Sequence, residues 1–227
     1  MGKQEFLQLL VFNLGPLHIG TTVLTTWLLM AGLTTLAWIG TRKLSVEKPS
    51  RLQTALEGTV LALQAAIEDA APGHAIRLLP FIGTLWLFIA TANLAGLVPG
   101  LRSPTGDLSL TVALAMLVFA SVHWFGIRID GLRTYLRHYL DPNPILLPFH
   151  LLGEVTRTLA LAVRLFGNMM SLEMAALLVL LVAGFLAPVP LLMLHIVEAL
   201  VQAYIFGTLA LVYVAGALQS HELSKER

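Results

Sequence analysis

Apolar positions in this chain form long unbroken runs separated by short polar intervals. Residues 19–41, 78–101 and 108–127 contain no Asp, Glu, Lys or Arg. Each is long enough for a membrane-spanning helix, which needs roughly 20 apolar residues. Two later runs, 149–186 and 191–218, are equally apolar but interrupted by single charged residues. Residues 50–71 differ: Leu52, Leu56, Val60, Leu63 and Ile67 recur at spacings of three and four, with Gln53, Glu57, Gln64 and Glu68 largely elsewhere on the wheel. That pattern predicts an amphipathic helix on the membrane surface, equally able to pack on another subunit. Pro72 and Gly73 end it. The predicted fold is therefore an all-α polytopic membrane protein in one membrane domain, residues 1–227, with about five spans and one surface helix. The turn-rich runs after the second span and at 141–148 and 187–190 separate these elements. Residues 1–17 are short, mixed and expected at the interface.

Composition agrees with the pattern. Apolar residues make up 57% of the chain and charged residues 12%, against about a quarter charged in soluble proteins. With no cysteines, thiolate metal sites and a Cys nucleophile are excluded. The first apolar run is too long for a signal-peptide core and lacks a preceding basic flank, so no cleavable leader is expected. The net charge of +1 matters less than where the charges fall. Arg42, Lys43, Lys48, Arg51, Arg77, Arg128, Arg133, Arg137, Arg157, Lys225 and Arg227 all come to one side if the spans alternate, leaving Lys3 and Arg102 on the other. By the positive-inside rule the first group is cytoplasmic, which puts the N-terminus outside and the C-terminus inside.

Arg164 is the remaining basic residue and lies within the fourth span. An intramembrane charge of this kind is expensive and by default functional. Its guanidinium keeps its proton at any physiological pH, so it acts as a fixed positive charge and never as a proton carrier. At about 100° per residue, Arg157, Leu161, Arg164, Asn168 and Ser171 share a face, while Glu173 points about 180° away from Arg164. An Arg164–Glu173 ion pair within one regular helix is therefore excluded by direction. On the next helix His195, Glu198 and Gln202 form a polar stripe that Tyr213 extends. Antiparallel packing would let Glu173 face this stripe while Arg164 looks away from it, toward a partner carrying negative charge. His195 and Glu198 have the spacing of two metal ligands on a helix, but no third is evident, so no metal site is expected. No phosphate-binding glycine loop, HExxH motif or internal repeat is present.

The RLFGN run beginning at Arg164, with Glu173, His195, the QAYIF run beginning at Gln202, and Tyr213, resembles subunit a of the bacterial F-type ATP synthase. Asn93 through Pro99 and Pro104 through Asp107 are similar to that family's central hairpin, so the likeness covers about residues 78–218. The resemblance implies a non-catalytic stator subunit that works with a ring of c subunits and peripheral-stalk b subunits in the bacterial plasma (inner) membrane. It implies no cofactor and no nucleic-acid partner. The last two helices are expected to form a long tilted hairpin against the c-ring. Arg164 matches the family's essential arginine; Glu173, His195 and Gln202 match its polar pathway residues; Asn168 and Asn93 match two asparagines. Glu198 is an added acid, and Gly96 stands where an acid is often found. The expected mechanism has two offset half-channels for H⁺ or Na⁺. One runs past Glu173, His195, Glu198 and Gln202, the other near Glu154 and Thr156, and Arg164 stands between them. A sodium-coupled form of this subunit is the nearest alternative. A transporter permease lacks the internal repeat it should show, and an intramembrane hydrolase would need a convergent dyad such as Ser171 with His195.

Overall fold

The computed structural model describes residues 12–14, 17–42, 44–45, 49–98, 101–131, 147–183 and 189–225. A small antiparallel hairpin, β1 (Phe12–Leu14) and β2 (Leu17–Ile19), comes first, with Phe12 opposite Ile19. The described elements after it are all helical: α1 (Thr21–Thr41), α2 (Arg51–Ala70), α3 (Ala75–Ala95), a 3-10 turn at Pro104–Gly106, α4 (Leu108–Asp130), α5 (Leu147–Ala183) and α6 (Val189–Lys225). Five of the described helices, all except α2, are long and apolar enough to cross a membrane. Lys3, Lys43, Lys48, Arg133, Arg137 and Arg227, the 141–144 opening and the start of the 187–190 turn lie outside the described residues.

Several helix boundaries differ from expectation by two residues or more, and three stand out. The second span begins at Ala75 instead of residue 78, because Arg77 sits exposed in its first turn. It ends at Ala95 instead of 101, where the chain turns through Gly96 toward Ser103. The return helix continues to Lys225, beyond the last apolar residue of the predicted span. At 37 residues each, α5 and α6 are about 55 Å long. A hydrocarbon core is only about 30 Å thick, so upright helices of this length would project beyond it.

The core lies where α3, α4, α5 and α6 meet, with Ile67 and Ala71 of the α2 segment closing one end. Lipid is as apolar as leucine, so close fit rather than the hydrophobic effect holds spanning helices together. Small residues on α6 supply the fit: Ala199, Ala203, Gly207 and Ala210 are buried. The Trp86 indole of α3 lies directly on Gly207, where a Cβ would collide with it. Its Nε1–H donates to the Tyr204 carbonyl at 3.2 Å, and its ring stacks on Tyr204 at 6.1 Å.

In α1, Thr26, Thr34, Thr35 and Thr41 donate to carbonyls one turn back, which satisfies their hydroxyls in an apolar setting. Helix α2 starts on a Ser50 cap that accepts from the Gln53 N–H at 3.2 Å. The buried Gln53 amide pairs with both backbone groups of Ser45 and holds the incoming loop. Only the last part of α2 packs inward, through Leu63 and Ile67; Leu52, Val60 and Leu61 stay exposed. An exposed apolar stripe is what a helix resting on lipid or on another subunit presents.

Candidate functional site

Two places bring the sequence-derived residues together. The first is at the end of the bundle where α3 finishes, α4 begins and α6 starts. Asn93 is wholly buried on α3. Its side-chain N–H donates to the Ala199 carbonyl of α6 at 3.1 Å, and its Oδ1 accepts from the Thr105 hydroxyl at 2.6 Å. Thr105 and Ser103 share a 2.7 Å hydroxyl contact, and Ser103 donates onward to the Ala92 carbonyl at 3.0 Å. His195, also buried, approaches the Asn93 carbonyl with Nε2 at 3.4 Å. A carbonyl only accepts, so Nε2 is assigned the proton there. Glu173 closes the knot by accepting the Ser103 N–H at 3.2 Å, with its carboxylate over Gly106. One polar chain therefore runs from Glu173 on α5 through Ser103, Thr105 and Asn93 to His195 on α6.

This geometry corrects the expectation that Glu173 faces the α6 stripe directly while the arginine face looks away. Helix α5 packs mainly on α4 and touches the 3-10 turn, whereas α6 packs mainly on α3. The acid therefore meets the Ser103 turn first. From the arginine face it is Asn168 that reaches α6, donating to Gln202 Oε1 at 2.7 Å. Gln202 is buried, and its Nε2 has no hydrogen-bond partner among the described residues. A buried amide donor left in this way costs about 1–3 kcal/mol unless something else supplies an acceptor. Glu198, half-buried, lies one turn before it.

The second place is the flank of α5. Arg164 is exposed on the isolated chain, and no carboxylate lies within ion-pair distance of it among the described residues. Leu159 and Val163 beside it are more than half exposed at 56% and 58%, so the guanidinium emerges from an apolar, uncovered surface. Neither self-neutralisation nor solvation in lipid is available to it. That combination fits a partner that brings an anion.

Nearer the start of α5, Tyr213 of α6 carries the Arg157 guanidinium 5.7 Å from its ring centre. It therefore extends the stripe along the helix without joining the Asn93 knot. Thr156 is exposed and donates to the Leu152 carbonyl at 2.7 Å. Glu154 lies 3.4 Å from His123 of α4. The sequence pattern does not single out Ser103, Thr105 or His123. The turn residues around Pro104 hinted at the first two; nothing in the spacing pointed to His123, which reaches Glu154 only through helix packing. No three His, Cys, Asp or Glu side chains converge among the described residues.

The ATP synthase A chain family model matches residues 23–215. The chain is 66% identical over 212 residues to ATP synthase subunit a 2 of Pelobacter propionicus, covering 93% of this chain and 92% of that one. It is 63% identical over 207 residues to ATP synthase subunit a 1 of Hahella chejuensis, covering 91% and 88%. Against ATP synthase subunit a of Legionella pneumophila it is 54% identical over 226 residues, covering 100% and 98%.

Proposed function

The chain belongs to the ATP synthase A chain family, and from that premise and the geometry above we propose how it moves ions. As a member it is a non-catalytic, multi-pass subunit of the bacterial inner membrane, the ion-conducting stator that works beside the c-ring. In the proposed mechanism, ions reach the c-ring through two half-channels that never join. The outer one runs along the Asn93 knot, from Glu173 and His195 past Glu198 to Gln202 and Asn168. The inner one opens by Glu154 and Thr156, with Tyr213 and Arg157 at its edge. The peripheral-stalk b subunits hold the subunit still, and H⁺ or Na⁺ is the cargo. The N-terminus lies outside and the C-terminus in the cytoplasm.

Arg164 separates the two half-channels. A rotor carboxylate arriving opposite the guanidinium is held ionised, because a nearby opposite charge lowers a carboxylate's pKa by about one to three units. Having travelled round through lipid in neutral form, the carboxylate gives up its ion on one side of Arg164, passes the guanidinium ionised, and takes another ion on the far side before it re-enters lipid. The same fixed charge repels any cation crossing directly. One charge moved through 100 mV is worth about 2.3 kcal/mol, so several ions must pass for each ATP. The orphaned Gln202 amide is held by Asn168, which lies one turn, about 6 Å, along α5 from Arg164, and it is a donor that the inner end of the outer half-channel can use.

The observation that carries this reading is an exposed Arg164 with no acid of its own chain beside it among the described residues. The test is ATP-driven transport by the reconstituted complex, with and without sodium and a protonophore, comparing the natural chain with Arg164→Ala. Pumping should vanish in the variant. Pumping at the natural rate would refute the role of Arg164, and the response to sodium and protonophore identifies the ion.

A further inference from the structure

The geometry points to His123 and Glu154 as a one-proton relay site that loads and unloads the inner half-channel. This rests on the half-channel reading above, and adds to it a residue, His123, that acts from α4.

The argument begins with the histidine's other nitrogen. His123 Nδ1 lies 2.9 Å from the Phe119 carbonyl one turn back, and the ring packs on the Phe119 ring at 4.3 Å. A carbonyl cannot donate, so Nδ1 carries a proton and the ring is fixed in orientation. That leaves Nε2 with a lone pair in the neutral ring. Glu154 Oε2 lies 3.4 Å from it and is buried at the atomic level, although the two side chains remain 28% and 21% exposed. Facing a carboxylate oxygen, a lone pair repels. The contact becomes attractive when one proton is added, either as imidazolium with carboxylate or as imidazole with carboxylic acid. The pair is thus neutral with its proton and carries one negative charge without it.

Its position suits a relay. Glu154 precedes Arg164 by ten residues, about 15 Å along α5, and neither side chain of the pair is fully enclosed by its own chain. Each residue also makes a further contact. Among described side chains, the elements packed here carry the charged and titratable groups Arg157 on α5, Tyr213 on α6 and Arg128 on α4. Arg157 lies over Tyr213, and Arg128 lies over Trp124 at 5.9 Å. In ATP-driven pumping a proton from cytoplasmic water is held between Nε2 and Oε2 and passes on through water to the rotor carboxylate; in the opposite direction a proton released by that carboxylate takes the reverse route. No covalent bond other than those to the proton changes.

The test uses the reconstituted complex carrying His123→Gln, Glu154→Gln, both changes, or Arg164→Ala. Initial proton-pumping rates are measured per assembled complex against the pH on the ATP side, without sodium. Each single glutamine variant should lose the same titrating step from the pH profile and slow by about tenfold. Positioned proton-transfer groups contribute about 100-fold or more in dry sites, and water substitutes for part of that here. The double variant should be no slower than Glu154→Gln alone. If His123→Gln does not assemble, His123→Asn is measured in its place, and Glu154→Gln reads the same pair from the α5 side. An unchanged pH profile, additive slowing, or an effect on sodium dependence alone would overturn the relay. Arg164→Ala tests the underlying half-channel reading separately: if it abolishes pumping while the glutamine variants keep the natural profile, only the relay fails.

Discussion

Glu173 and Arg164 lie on one helix, about 13 Å apart by helical rise, yet they meet the cost of charge in a membrane in opposite ways. Glu173 is tied into a knot in which Ser103, Thr105, Asn93 and His195 answer one another across α3, the 3-10 turn and α6. Arg164 stands on an uncovered flank with no acid beside it among the described residues. A group whose partners lie in its own chain contributes to folding as well as function. A group whose partner belongs to another protein contributes to function alone. The difference between the two regions is therefore a difference in what substitution should damage.

Arg164→Ala should give the largest functional loss with the smallest structural one. Coupled transport should fall to background, while the thermal stability of the isolated subunit in detergent should change by less than about 0.5 kcal/mol, as for surface positions that touch nothing. A large fall in stability would mean that the guanidinium is held by its own chain, and the contrast would dissolve.

Asn93→Ala should show the opposite balance. It leaves the buried Thr105 hydroxyl without its acceptor and removes the link to Ala199. Unsatisfied buried groups cost about 1–3 kcal/mol in general, and measured polar contacts between membrane helices fall toward the lower end. A loss of roughly 1–2 kcal/mol in detergent unfolding is expected, with transport by the surviving complexes slowed but still coupled. Stability equal to that of the natural chain would show that the knot is not structural.

Much of this contrast could be read before any coordinates. Five spans, the surface helix and the isolation of Arg164 follow from apolar runs and one misplaced charge, because length and transfer cost act on each segment alone. The opposite directions of Arg164 and Glu173 follow from helix periodicity. Which neighbour each direction meets does not. Glu173 finds the backbone N–H of a residue 70 positions away, and Asn168 takes the Gln202 contact that the wheel had offered to the acid. His123 was illegible for the same reason: a lone histidine in an apolar run reveals its role only when α4 and α5 are packed. Helix α1 makes the general point. It is as long as α3 and nearly as apolar, yet 6% of its span window is buried against 50% for α3. Hydropathy determines that both enter the membrane, while the small residues on α6 determine which of them is enclosed.

Glu173→Gln probes the knot more gently. The amide oxygen still accepts the Ser103 N–H, so stability should hold, but the negative charge at the proposed outer half-channel is gone. Ion uptake should slow several-fold, with ATP hydrolysis still coupled to transport. A variant that hydrolyses ATP freely without pumping would move Glu173 into the same class as Arg164.

The smallest effect concerns Asp107, an acid at the start of α4 that lies outside the proposed path. It caps α4 by accepting from the Ser109 N–H at 2.9 Å, and it ties down α1 by accepting the Thr22 hydroxyl at 2.7 Å. Burial raises its pKa, but the hydrogen bonds from Ser109 and Thr22 outweigh that and hold it below the usual carboxylate value. A depressed folded-state pKa contributes stability that is complete above the unfolded value, near 3.9, and disappears as pH falls through the folded one. Acid should thus loosen α1 from the 3-10 turn only below about pH 4, leaving the α3–α6 core intact. Asparagine also caps helices well, where alanine costs about 1 kcal/mol. Asp107→Asn should therefore keep near-natural stability at neutral pH and lose this acid-sensitive component. Hydrogen exchange in the first turns of α1, followed from pH 6 to 3 after correction for the intrinsic rate, checks it. If both proteins loosen alike, the acid sensitivity of that end belongs to another carboxylate, and Glu173 in the neighbouring knot is the first to test.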